Sequence, residues 1–82
     1  MAWVYILKSR TVNKTYVGST TDIDRRIQEH NSGKHTFTKR YLPWVVVYKE
    51  RVADLLTARQ REKYLKSAAG RRFIKRKQII PR

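Results

Sequence analysis

Trp3-Val4-Tyr5-Ile6-Leu7-Lys8 and Thr15-Tyr16-Val17-Gly18-Ser19-Thr20 are the two runs that decide the fold. Both are dense in β-branched and aromatic residues, which suit a pleated surface. Between them lies Arg10-Thr11-Val12-Asn13-Lys14, where Asn13 is a good turn residue. The pair reads as a β-hairpin. Side chains alternate across a strand, so an even number of loop residues puts Tyr5 and Tyr16 on the same face. Packing as ordinary amphipathic strand residues would explain both tyrosines without any chemistry.

Downstream, Thr21-Asp22-Ile23-Asp24 has the form of a capping box, with Thr21 as N-cap and Asp24 reaching back. The helix it opens runs to Asn31 or Ser32 and ends at Gly33. Lys34 to Pro43 reads as a basic loop. Trp44-Val45-Val46-Val47-Tyr48 is an unbroken apolar run, expected to form a central strand covered on both faces. Ala53 or Asp54 opens a second helix reaching Lys66, Gly70 breaks it, and a third basic helical piece spans Arg71 to Lys77. There is no repeat, low-complexity segment or linker.

The 82 residues are expected to form one domain, too small for a large core. Hydrophobic residues at 40% and aromatics at 11% place the chain among folded proteins rather than disordered ones. It has no cysteine and two histidines, which excludes disulfides and thiolate metal sites and makes a structural zinc site implausible. No apolar run is long enough to span a bilayer. The apolar start, Met1 to Leu7, has no charged leader and no small-residue cleavage site, so a reducing, cytoplasmic compartment is expected. Twenty Lys and Arg against six Asp and Glu give a net charge of +14. Such a chain repels itself and calls for a polyanion, which nucleic-acid phosphates supply while counterions are released. A membrane surface competes less well, because no helix joins a broad apolar face to a basic one.

Two helices carry polar residues where the pattern wants apolar ones. At about 100° per residue, Ile23, Arg26, Ile27 and His30 share one face of the first helix, with Asp24, Arg25, Gln28 and Glu29 opposite. Arg26 either snorkels past the isoleucines to water or serves the site; His30 either caps the helix end or joins it. In the second helix Glu62 sits among Leu55, Ala58, Leu65 and Ala69. A buried carboxylate needs a partner, either an arginine in a salt bridge or a metal ion. Oxygen ligation suits Mg²⁺ or Mn²⁺, and a magnesium site can use one carboxylate with water and phosphate completing the shell.

In their order these residues resemble the GIY-YIG nuclease superfamily, in its small single-domain bacterial form. Trp3-Val4-Tyr5 stands where the first signature triplet falls and Tyr16-Val17-Gly18 where the second does, with Trp3 replacing the glycine. Tyr5 and Tyr16 are eleven positions apart and Arg26 follows Tyr16 by ten. Ser19-Thr20 and Asp22 to Asn31 look like the segment leading to the arginine helix, and Gly33, Thr38 and Pro43 fall where small members often have them. Ala58-Arg59-Gln60-Arg61-Glu62 with Leu65-Lys66 resembles the helix of the metal-binding glutamate. Arg71 to Ile80 resembles the basic, apolar-ended tail. An asparagine that some branches carry after the glutamate helix has no counterpart here.

The resemblance implies an α+β fold, a three-stranded antiparallel sheet flanked by helices, and metal-dependent hydrolysis of phosphodiester bonds, with DNA favoured over RNA. It assigns Glu62 to one divalent cation and Arg26 to the phosphate. Tyr5, Tyr16 or His30 would activate water; a phenol titrates near ~10, so nearby cations must lower that value for a tyrosine to act as base. Lys34, His35, Lys39 and Arg40, and separately Arg71, Arg72, Lys75, Arg76 and Lys77, form two basic patches that would hold phosphates without reading bases. Larger relatives add separate DNA-binding domains not found in these 82 residues, so autonomous sequence-specific cleavage is not expected. The alternatives are a non-catalytic nucleic-acid-binding module on the same scaffold and a basic RNA-associated protein.

Overall fold

The computed structural model describes residues 1–77. Their element order is β1 (Ala2–Ser9), β2 (Thr15–Thr20), α1 (Ile23–Asn31), α2 (Thr36–Lys39), β3 (Trp44–Val52), α3 (Leu55–Lys66) and α4 (Ala68–Arg76). The fold is α+β as expected: three antiparallel strands in the order β2-β1-β3, with helices on both faces. Ile79 and Ile80, which close the tail resemblance, lie outside the described residues. Among the described residues no helix is long and apolar enough to cross a membrane.

The hairpin forms as read. Lys8 pairs with Thr15, leaving residues 9–14 in the loop, an even number. Tyr5 therefore faces Gly18 across the ladder and Leu7 faces Tyr16, all four on one face of the sheet. That face buries Tyr5, Leu7, Ile23 and Trp44, with Trp3, Tyr16, Ile27, Tyr41 and Leu42 around them. The other face buries Ala2, Val4, Ile6, Ala58 and Leu65 beneath α3 and α4.

The central strand is β1, not the run at Trp44, and this overturns the expected placement of β3. Edge position leaves Val45 37% and Val46 36% exposed. The run is unbroken for another reason. Ile6 pairs with Tyr48 but Leu7 with Val46, so Val47 is an extra residue, a β-bulge. The bulge reverses the alternation within β3. Trp44 consequently packs on the tyrosine face while Val47 and Tyr48 pack on the aliphatic one.

Three local expectations also change. The N-cap of α1 is Asp22 rather than Thr21: its carboxylate accepts from Arg25 N–H at 3.2 Å, and Thr20 Oγ1 accepts from Asp22 N–H at 3.1 Å. Three consecutive polar residues compete for that role, and the tie is broken by where β2 ends. The stretch from Lys34 to Pro43 is not all loop but contains α2. It is tied down by Trp44 Nε1 donating to Thr38 O at 2.7 Å and by Asn31, whose amide bonds both Trp44 O at 3.1 Å and Trp44 N at 2.7 Å. Gly70 breaks nothing and lies inside α4. The break falls at Ser67, which ends α3 and caps α4 by accepting from Gly70 N–H at 3.3 Å. A Cβ at position 70 would overlap Tyr64 O and the Leu65 backbone, so glycine here permits one helix start to press on another's end. Asp54 opens α3, accepting from Thr57 N–H at 2.7 Å.

Candidate active site

Above β1 and β2 a chain of polar groups runs through an aromatic cluster. Tyr5 Oη lies 3.0 Å from His30 Nε2, and His30 Nδ1 lies 3.1 Å from Thr38 Oγ1. Thr38 spends its own proton on His35 O at 3.4 Å, so its oxygen accepts from His30 Nδ1–H. Nε2 then carries the lone pair and accepts from the Tyr5 hydroxyl. Both Tyr5 and His30 are fully buried. Burial, helped by the charges of His35 and Arg26, pushes His30 down to about 4, which keeps the imidazole neutral at pH 7 as this proton order requires. Burial likewise drives the Tyr5 phenol well above its usual range, with Tyr16 adding to the effect and Arg26 partly opposing it.

Tyr16 stands beside this pair but reaches water. Its ring centroid is 6.3 Å from Tyr5 and 4.8 Å from His30. Gly18 explains how two phenols fit so closely: a Cβ there would come within 2.6 Å of Tyr5 Cζ and 2.9 Å of Tyr16 Cε1. The second triplet's glycine is thus required by a close approach rather than by a turn.

Arg26 is half-buried and paired through Nε with Glu29 Oε1 at 3.3 Å. Glu29 is not simply on the solvent side of α1, as the helical wheel implied. Its carboxylate also meets Arg25 Nε at 3.3 Å and lies 3.7 Å from His35 Nε2. Burial alone would raise the Glu29 carboxyl; Arg25, Arg26 and Lys34 overcome it and hold the group below the usual carboxylate range. His35 is turned inward, its ring 4.7 Å from His30, while Lys34, Lys39 and Arg40 point to solvent.

Glu62 approaches from the opposite face of the sheet. It accepts from Ser19 Oγ at 2.5 Å and from Lys66 Nζ at 2.7 Å, and its side chain remains 21% exposed. Its partner is therefore a lysine one turn along and a strand serine, not an arginine. Ser19 was legible only as part of the triplet's continuation. The pleat supplies the missing signal: next to Gly18, it must face the side opposite the tyrosines, where α3 lies.

The groups surround the outer edge of β2 rather than line one cavity. Tyr16 lines a hollow of about 360 Å³ with Phe37, Lys66 and Arg71. Glu62 opens on a second hollow with Arg59, Lys63 and Lys66, and Arg26 on a third with Thr20, Asp22 and Glu29. Lys66 borders both the first and the second. In α4, Arg71, Arg72, Lys75 and Arg76 are exposed, as is Lys77 at its end, and Arg71 brings this basic surface to Tyr16.

A small antiparallel sheet sandwiched by helices, with phenols, a guanidinium and a carboxylate around its outer strand, defines the class: a compact α+β domain. The model of the GIY-YIG catalytic domain matches residues 1–77, and the chain belongs to that family, a nuclease superfamily that acts on nucleic acid. The UPF0213 protein of Staphylococcus haemolyticus is 36% identical over 74 residues, covering 89% of both chains. That of Syntrophus aciditrophicus is 42% identical over 67 residues, 78% of this chain and 75% of the relative. The solution NMR structure of the UPF0213 protein BH0048 from Bacillus halodurans superposes with a TM-score of 0.56 at 30% identity, covering 99% of this chain and 89% of that one.

Proposed function

We propose that this chain is a cytoplasmic endonuclease that hydrolyses phosphodiester bonds of DNA, in preference to RNA, with one Mg²⁺ or Mn²⁺ ion held at Glu62. The observation that carries the reading is the Ser19–Glu62 hydrogen bond. It draws an α3 carboxylate to the same strand whose other face presents Tyr16. Among the described residues no three ligating side chains gather, so a cage built wholly of protein does not fit. A single partly exposed carboxylate does fit a magnesium site, whose remaining positions water and phosphate fill. A divalent ion bound there supplies positive charge where negative charge develops on the phosphate.

The remaining roles belong to the chain. Arg26 hydrogen-bonds a phosphate oxygen through guanidinium N–H groups not used on Glu29. Tyr16, the partly exposed phenol, hydrogen-bonds and positions the attacking water. Tyr5 and His30 are sealed from solvent, so neither meets that water directly; His30 fixes the Tyr5 hydroxyl, and Tyr5 backs Tyr16. The exposed cations of the Lys34–Arg40 stretch and of α4 hold the phosphates on either side.

The test is a cleavage panel: supercoiled, branched and single-stranded DNA and structured RNA, each with Mg²⁺ or Mn²⁺, run beside Glu62→Gln. Metal-dependent nicking by the wild-type protein is expected, abolished in Glu62→Gln with DNA affinity within about twofold, because one neutralised carboxylate changes few phosphate contacts. Binding without nicking in every condition would reduce the chain to a non-catalytic binding module on this scaffold. Equal turnover by Glu62→Gln would remove that residue from the mechanism.

A further inference from the structure

The hollow beside Tyr16 contains something that phosphodiester chemistry does not use. Phe37, on the short helix α2, is 48% exposed although it belongs to an aromatic cluster, and its ring stands 6.0 Å from Tyr16 at an interplanar angle of 34°. Behind it Tyr41 and Trp44 hold the ring, at 5.4 and 6.4 Å. Across the hollow, Val17, Leu65 and Ile74 give an apolar wall and Lys66 and Arg71 supply two cations. At about 360 Å³ it falls at the small end of the range of about 300–1,000 Å³ typical of small-ligand sites.

We propose that this hollow seats one unpaired nucleobase of the substrate strand, stacked on Phe37, with its phosphate on Arg71 and Lys66. The inference rests on the nuclease reading for the identity of the strand, and it specifies what that reading leaves open. An exposed, backed aromatic face beside cations is the arrangement that holds single strands: every base has a π-face, and the charges follow the backbone. A base inside a duplex has both faces covered by its neighbours, and occupying the hollow would require it to leave the stack. The chain therefore prefers single strands, flaps or unpaired junctions over continuous duplex. The charge at the rim also favours an anionic occupant, since Lys66 already pairs with Glu62 and an uncharged ligand would leave Arg71 unused.

Binding is measured with the intact protein in EDTA, where metal-dependent hydrolysis is off, by anisotropy of a labelled single strand, its duplex, and the same strand with abasic sites. The single strand should bind more tightly than the duplex, and abasic substitution should remove the difference. Phe37→Ala should weaken single-strand binding about tenfold, the loss of one stacked base, while duplex binding changes less than twofold. Phe37→Trp should restore it, and a 2-aminopurine strand should be quenched by the wild-type and Phe37→Trp proteins but not by Phe37→Ala. Equal losses on single strand and duplex, full binding by the abasic strand, or no loss in Phe37→Ala would each overturn the proposal. A protein that passes these tests yet nicks nothing would keep the stacking site and lose the nuclease reading; the converse result would do the opposite.

Discussion

The two faces of the sheet are built from different chemistry. Beneath α3 and α4 the fully buried residues are aliphatic, Val4, Ile6, Ala58 and Leu65 among them, with Tyr48 and Phe73 at the margin. Over β1 and β2 on the other side, Leu7, Ile23 and Trp44 are buried together with Tyr5 and His30, which are joined by a hydrogen bond continued through Thr38. The aliphatic face gains from area removed from water and tolerates small shifts. The aromatic face gains little from its polar atoms unless every bond is made, and in return it fixes a phenol in one place. The aliphatic core and the hydrogen-bonded phenol thus lie on opposite sides of three strands, and β2 links them, with Ser19 taking hold of Glu62 on one side and Tyr16 standing on the other.

This contrast is most sharply tested by truncation on the aliphatic side. Leu65→Ala should cost about 2–5 kcal/mol in urea unfolding, the range for a fully buried leucine. The residual folded protein should bind duplex DNA, which does not enter the hollow that Leu65 helps to line, as the wild type does. A loss below about 1 kcal/mol would mean that this face is not where the fold gets its stability.

The aromatic side should respond to pH instead. His30 is pushed from 6.5 to about 4 on folding, so between those values the unfolded chain binds more protons than the folded one. His30's contribution is complete above pH 6.5 and is lost as pH falls toward 4, by about 3 kcal/mol at most. Urea midpoints measured across that window should fall for the wild type and fall less for His30→Asn. Parallel slopes would place the pH dependence elsewhere.

Gly18→Ala lies at the junction of the two phenols. The added methyl overlaps Tyr5 and Tyr16, and relieving it should cost about 1–3 kcal/mol as overpacking. Cleavage should fall further than stability alone explains, which turnover measured well below the unfolding midpoint would reveal. A stable variant with wild-type turnover would show that the phenols need no fixed spacing.

Finally, adjacent arginines on α1 separate placement from charge. Arg26→Ala should reduce turnover about 10²-fold, the cost of losing one donor to a developing charge. Exposed Arg25→Ala, which also loses a contact to Glu29, should change it less than about twofold. Equal losses would show that net charge alone matters.

Much of this was legible in the chain. Alternation in two short runs gave the hairpin and put Tyr5 and Tyr16 on a common face, because strand pleat is a local property. Helical periodicity located Arg26 and His30 on the packed side of α1 and Glu62 among the apolar residues of α3. Charge alone pointed to a polyanion.

What required the folded chain was every fact that depends on two distant segments. Strand order made β1 central and β3 an edge, and a bulge at Val47 made an apolar run look doubly covered when it was not. Gly70 resembled a breaker because a close helix approach and a helix end ask for the same residue. The proton order from Thr38 through His30 to Tyr5, and the reach of Ser19 to Glu62, span 8, 25 and 43 positions. Periodicity states which way a side chain points; only packing decides what it meets there.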